Sequence, residues 1–194
     1  MRTDQITSRI PETSPRLKAR ITGLVYLLYF LTAISAEAFV GRGRLIAYDA
    51  VNLIAYVFYI SVTLLFYFMF KPVNRSLSLL AAFFSLAGCA NDLLGLFNRA
   101  PYKISSLVFF GPYCLLLGYL IFRSTFLPRI LGVLMALAGM GWLIFLSPLE
   151  NYLSTYLKVL GFVAELSFCL WLLVMGVNVE RWKEQAGAGA ERRS

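Results

Sequence analysis

YLKVLGFVAELSFCLWLLVMGV, residues 156–177, is long enough to cross a hydrocarbon core, which takes about 20 mostly apolar residues. Near its middle stands a carboxylate, Glu165. An acid at that depth costs roughly 3 kcal/mol on insertion scales, so it reads as functional, with a partner to be found. At helical spacing Ser154, Lys158, Gly161, Glu165 and Cys169 share one face, while Leu160, Phe162, Val163, Leu166, Leu170, Leu173 and Val174 are left to face lipid. The helix has an inside, and Glu165 is on it. Lys158, two turns outward on that face, is its nearest partner in sequence.

The same apolar character runs along the whole chain. Of 194 residues, 59% are hydrophobic and 14% charged, and the mean hydropathy is +0.72. A soluble domain carries about 25% charged residues. The chain therefore reads as a one-domain, all-α polytopic membrane protein whose first partner is the lipid bilayer. The net charge of +8 follows from loop Lys and Arg, which set membrane orientation, and not from nucleic-acid binding. Cys89, Cys114 and Cys169 lie inside apolar stretches without metal-ligand spacing and read as packed thiols.

Six spans are predicted, at residues 21–39, 50–70, 77–97, 104–122, 127–146 and 156–177. Lys71-Pro72 stops the second, and Asn98-Arg99-Ala100-Pro101 stops the third. Gly111-Pro112 predicts a kink in the fourth, since proline removes a backbone donor. Ala36-Glu37-Ala38 has the form of a signal cleavage site, but the apolar run is long for a signal and more spans follow it. The span is read as retained. Residues 1–20 are expected to be a disordered tail, 21–178 the membrane domain, and 179–194 a second tail that frays. With six spans both termini share a side. The loops and tails on that side hold thirteen Lys and Arg, against five opposite: Arg42, Arg44, Arg99, Lys103 and Lys158. The termini are thus expected in the cytoplasm.

A faint parallel repeat relates Arg20-Ile21-Thr22-Gly23 to Arg129-Ile130-Leu131-Gly132, as apolar composition also produces by chance. Gly88 and Gly95, Gly111 and Gly118, and Gly132 and Gly139 each repeat at seven residues, which predicts close-packed helix faces.

With this orientation Glu37, Asp49, Asp92, Glu150 and Glu165 all fall in the outer half, and Glu165 is the deepest, about 16 Å in from Ser154. Asp49, Asn52, Tyr56, Tyr59, Thr63 and Tyr67 line one face of the second span. Thr22, Tyr26, Tyr29, Ala33 and Glu37 line the first, and Ser78, Ala82, Ser85, Cys89 and Asp92 the third. Lipid cannot hydrogen-bond such faces, so they turn inward and enclose a polar cavity opening outward. A plainer reading stands beside this one. Glu37 pairs with Arg42 or Arg44, Asp49 favours its helix dipole, Lys158 neutralises Glu165, and Tyr26, Tyr67, Tyr119 and Tyr156 form an aromatic belt.

The chain contains no histidine, which excludes zinc hydrolase motifs and histidine acid–base catalysis. It has no phosphate loop and no nucleophile elbow, and nothing in it calls for a cofactor.

Lys71-Pro72-Val73-Asn74-Arg75-Ser76-Leu77, Leu117-Gly118-Tyr119-Leu120-Ile121-Phe122-Arg123-Ser124, Leu127-Pro128-Arg129-Ile130-Leu131-Gly132-Val133 and Glu165-Leu166-Ser167 with Leu170-Trp171-Leu172-Leu173-Val174 form a distinctive set. With Arg20-Ile21-x-Gly23 and Ala36-Glu37, they resemble the bacterial integral membrane family termed domain of unknown function 4386, over about residues 19–178. The resemblance implies a multi-pass protein of the bacterial inner membrane with no assigned activity. It also implies a histidine where Tyr113 stands, after Phe109-Phe110-Gly111, and a longer segment before it. This chain departs at both points, which puts any histidine-dependent activity in doubt.

The leading expectation is a six-helix protein that binds or moves a small cationic or proton-coupled ligand. Glu165 is the central acid, Asp92, Glu37, Asp49, Asn52, Tyr56 and Tyr59 line the approach, and Lys158 and Tyr113 stand beside it. The alternatives are a carboxylate-dependent enzyme acting on lipid or isoprenoid substrates, and a non-catalytic accessory or sensor subunit.

Overall fold

The computed structural model describes residues 14–40, 45–97 and 105–191. Among them are seven helices and no strands: α1 (Pro15–Val40), α2 (Leu45–Phe70), α3 (Arg75–Leu96), α4 (Leu107–Arg123), α5 (Arg129–Ile144), α6 (Glu150–Val174) and α7 (Val179–Glu191). Four helices, α1, α2, α3 and α6, are long and apolar enough to cross a membrane. The other two apolar helices, α4 and α5, are shorter.

α1 to α6 form a closed ring in chain order. Each helix packs on the next, and α6 returns to α1. Aromatic side chains fill the centre. Phe66 of α2 stacks on Phe168 of α6 at 5.1 Å between centroids and meets Tyr26 of α1 edge-on at 5.7 Å. Around them Tyr113, Leu117, Met135 and Leu172 are fully enclosed. The outer faces carry the reverse composition: Val57, Phe68 and Phe83 are each more than 60% exposed. A belt of large apolar side chains on the outside of a bundle matches a lipid environment.

The seven-residue glycine spacing explains the α4–α5 contact. A Cβ on Gly118 would lie 2.7 Å from the Gly132 carbonyl oxygen and from the Ala136 nitrogen, and one on Gly132 would lie 2.7 Å from the Gly118 carbonyl oxygen. Gly111 and Gly139 repeat this contact two turns along. Only a hydrogen in place of a side chain allows these backbones to approach so closely. Gly88 instead receives the Phe110 ring, and Gly95 faces open space, so the predicted packing face of α3 ends at Gly88. The two Arg-Ile-x-Gly openings also place glycines at helix crossings, Gly23 against the backbone of Leu173 and Gly132 against that of Phe122.

Two terminal expectations need correction. α1 begins at Pro15, six residues before residue 21, so part of the expected tail is helical. The physical reason is tertiary. Arg20 donates to the Val174 carbonyl at 2.9 Å and Arg16 to that of Met175 at 3.3 Å, which occupies orphan carbonyls at the end of α6. Residues 179–191 form α7 where a fraying tail was expected. It is held by the Trp182 indole N–H, which donates to the Met69 carbonyl at 3.2 Å, and by the Thr125 amide, which donates to Gln185 at 3.1 Å. α6 reaches it through Gly176 at φ 69°, a left-handed conformation that favours glycine. α3 starts at a conventional cap, the Asn74 side chain accepting from the Leu77 amide at 3.0 Å. Pro112 lies within α4, which continues through it.

Candidate functional site

Glu165 is half-buried in α6, on the side of that helix turned toward α1 and α5. The Tyr26 hydroxyl of α1 donates to its Oε2 at 2.7 Å. The register follows from the antiparallel seam between these helices. Arg20 reaches Val174 at one end, the Cys169 thiol donates to the Gly23 carbonyl at 3.4 Å, and Tyr26 then falls level with Glu165. From the other side Trp142 of α5 presses its ring onto Gly161, one turn from Glu165, and directs its indole toward the carboxylate. A side chain at position 161 would displace that ring.

Around this pair lie more hydroxyls and rings. Tyr29 lies tilted against Tyr59 at 4.7 Å between centroids, and Tyr59 meets Phe110 edge-on at 5.6 Å and Tyr113 at 6.4 Å. The Tyr113 side chain also lies within electrostatic range of Tyr59. Tyr29, Tyr59, Tyr113 and the Cys114 thiol all lie within electrostatic range of Glu165. Tyr29 also lies within range of Asp92, together with Tyr56 and Cys89. It therefore stands within range of both the deep carboxylate and a shallower one.

Asp92 is half-buried on α3, with the Ser106 side chain beside it. Tyr56 lies within electrostatic range of it, and Tyr48, beside the Asn52 side chain, lies within range of Tyr56, Glu37, Asp49 and Asp92. Asn52 is further tied to the Tyr48 carbonyl at 3.1 Å. Polar groups within electrostatic range of one another thus lie between the Glu37 end of α1 and Glu165.

Of the nine residues singled out from sequence, Glu165, Tyr59 and Tyr113 gather at the deep cluster, while Asp92, Tyr56, Asn52 and Asp49 stand along the shallower series. Glu37 is exposed at the far end, and its expected partners Arg42 and Arg44 lie outside the described residues. So do Asn98, Arg99, Pro101, Lys103, residues 1–13 and 192–194, and the side chain of Glu150. Lys158 is not part of the cluster. It is exposed, with its ammonium over the Phe145 ring at 6.0 Å, and the partner of Glu165 is Tyr26. Tyr26, Trp142, Tyr48 and Ser106 were missing from the sequence-derived set. The signal for Tyr26 was its place with Tyr29 and Glu37 on one face of α1.

Every buried polar side-chain atom among the described residues has a hydrogen-bond partner. Cys89, Cys114 and Cys169 are buried free thiols. Chemically, the arrangement offers a hydrogen-bonded carboxylate inside a set of aromatic faces, which can hold a cation or a proton.

Residues 97–176 match the family model described as Domain of unknown function (DUF4386). A protein of Archaeoglobus fulgidus titled "Uncharacterized protein" is 31% identical over 131 residues, covering 60% of this chain and 76% of its own length. No solved structure matches.

Proposed function

Because the chain belongs to the DUF4386 family, whose domain carries no assigned reaction, only its own residues speak to function, and we propose that it binds a small organic cation at Glu165. The membrane domain is residues 21–178, with six spans. The tails on either side lie in the cytoplasm, and the membrane is the bacterial inner membrane. The ligand enters from the outer side along Glu37, Asp49, Asp92 and Tyr56, and reaches Glu165 past Tyr29. It leaves either by the same route, as a bound signal, or across the bundle in exchange for a proton on Glu165.

The observation that carries this reading is the Tyr26–Glu165 hydrogen bond inside the aromatic cluster. The phenol orients the carboxylate, and the ring faces of Tyr29, Tyr59 and Phe110 supply the quadrupoles that attract a desolvated cation. Lys158, the nearest cation in sequence, is directed elsewhere and leaves that role open to a ligand. The six-span reading is supported by the ring itself, in which α4 and α5 occupy full positions between α3 and α6. At 17 and 16 residues they are about 25 Å long, a few ångströms short of the core, which local thinning accommodates.

The test is a panel of small quaternary and primary ammonium compounds, tetraethylammonium among them, read by thermal stabilisation of the purified protein and by uptake into proteoliposomes. At least one is expected to bind the wild type and to lose most of its effect in Glu165→Gln. Binding that is unchanged in a stable Glu165→Gln protein refutes the proposal. Reporter fusions at both ends test the orientation, and activity of both in the cytoplasm is the expected result.

A further inference from the structure

A cavity lies at the opposite end of the bundle from Glu37 and has no part in the cation reading. It occupies about 460 Å³ between the first turns of α1, the last turns of α2 and the wall made by α7. Leu65, Phe68 and Met69 form its apolar floor, with Thr22 beside them, and Trp182 its side wall. The wall is fixed, because the Trp182 indole is bonded to the Met69 carbonyl. Lys18 and Lys71 stand at the rim. Neither ammonium has a hydrogen-bond or ion-pair partner among the described residues, in contrast to Arg16 and Arg20, which cap α6. Phe68 is 61% exposed, so the floor is continuous with the apolar outer face of α2.

The geometry points to a binding site for an anionic phospholipid, one acyl chain lying along Leu65 and Phe68 and its phosphate held between Lys18 and Lys71. Three features select this occupant. The volume is within the range of roughly 300–1,000 Å³ usual for small-molecule sites. Two unpaired ammonium groups supply charge complementary to a phosphodiester, and basic pockets between spans are where acidic head groups bind. A free phosphate has no use for the apolar floor, whereas a lipid brings both a charge and a chain. Trp182 beside the head group is placed as interfacial tryptophans are.

The experiment uses the full-length protein, delipidated in detergent and studied by native mass spectrometry with added phosphatidylglycerol, phosphatidylcholine or inorganic phosphate. Phosphatidylglycerol is expected to be retained in preference to phosphatidylcholine, and inorganic phosphate neither to bind nor to compete. Each lysine is expected to contribute about fivefold, so that Lys18→Ala with Lys71→Ala weakens retention about 25-fold, while Lys18→Arg with Lys71→Arg keeps it. Equal retention of the two lipids, displacement by millimolar phosphate, or unchanged retention by the double alanine variant overturns the assignment. The lipid comparison on the wild type decides it independently of whether any variant folds.

Discussion

Tyr26 and Glu165, 139 residues apart in the chain, are joined by a 2.7 Å hydrogen bond that ties the first helix of the ring to the last. Tyr26→Phe is expected to cost about 1–3 kcal/mol of stability, because it removes the phenol donor of a half-buried carboxyl group and leaves only the Trp142 indole directed at it. Glu165→Gln keeps a carbonyl acceptor for the phenol and is expected to cost less than Tyr26→Phe. Chemical unfolding of both single variants and the double variant in one detergent gives the coupling. A double variant whose loss equals the sum of the singles argues against a direct interaction.

The glycine seam between α4 and α5 makes a contrast within one residue type. Gly118→Ala or Gly132→Ala puts a methyl group 2.7 Å from backbone atoms of the facing helix, which must move away. A loss of about 1–3 kcal/mol is expected for each. Gly95→Ala meets nothing within 4 Å and adds helix propensity, so it is expected to be neutral or stabilising by up to about 1 kcal/mol. Thermal melts of the three variants check this, and equal losses at all three positions contradict it.

At the end of α6 the prediction concerns backbone conformation. Gly176→Ala is expected to lower stability by roughly 1–2 kcal/mol, since φ is 69° and the new methyl lies 3.0 Å from Arg16 Cγ. Limited proteolysis is expected to cut this variant between α6 and α7 faster than the parent. Equal cleavage rates contradict the role given to this turn.

A buried pair between α2 and α3 predicts an asymmetry. Thr63 Oγ1 donates to the Tyr59 carbonyl at 3.0 Å and lies 2.6 Å from Ser85 Oγ. Ser85→Ala leaves Thr63 satisfied and is expected to cost less than about 1 kcal/mol. Thr63→Val strands the Ser85 hydroxyl in the core and is expected to cost about 1–3 kcal/mol. Denaturant titration separates the two, and an equal or reversed order goes against this account.

The sequence made the inward faces legible because a bilayer leaves polar groups nowhere else to turn. Glu165, Tyr59 and Asp92 were found that way, as was the glycine spacing behind the α4–α5 seam. What it withheld were the partners. Helical spacing places residues on one helix but says nothing about which helices become neighbours. Lys158 was therefore the visible candidate for Glu165, although α1 supplies Tyr26 from far away in the chain. The starts of α1 and α7 were hidden for the same reason. Arg16, Arg20 and Trp182 look like tail residues until the carbonyls they bind are known.

Closing the ring between α1 and α6 also has a consequence for biogenesis. The ribosome delivers α6 after the other five helices of the ring, and until then α1 presents Tyr26 and Gly23 along an open seam. Neither half of the Tyr26–Glu165 pair has its mate during most of translation. The deep cluster therefore comes into existence in one late step, and a nascent chain arrested before α6 contains every tyrosine of the site but not its acid.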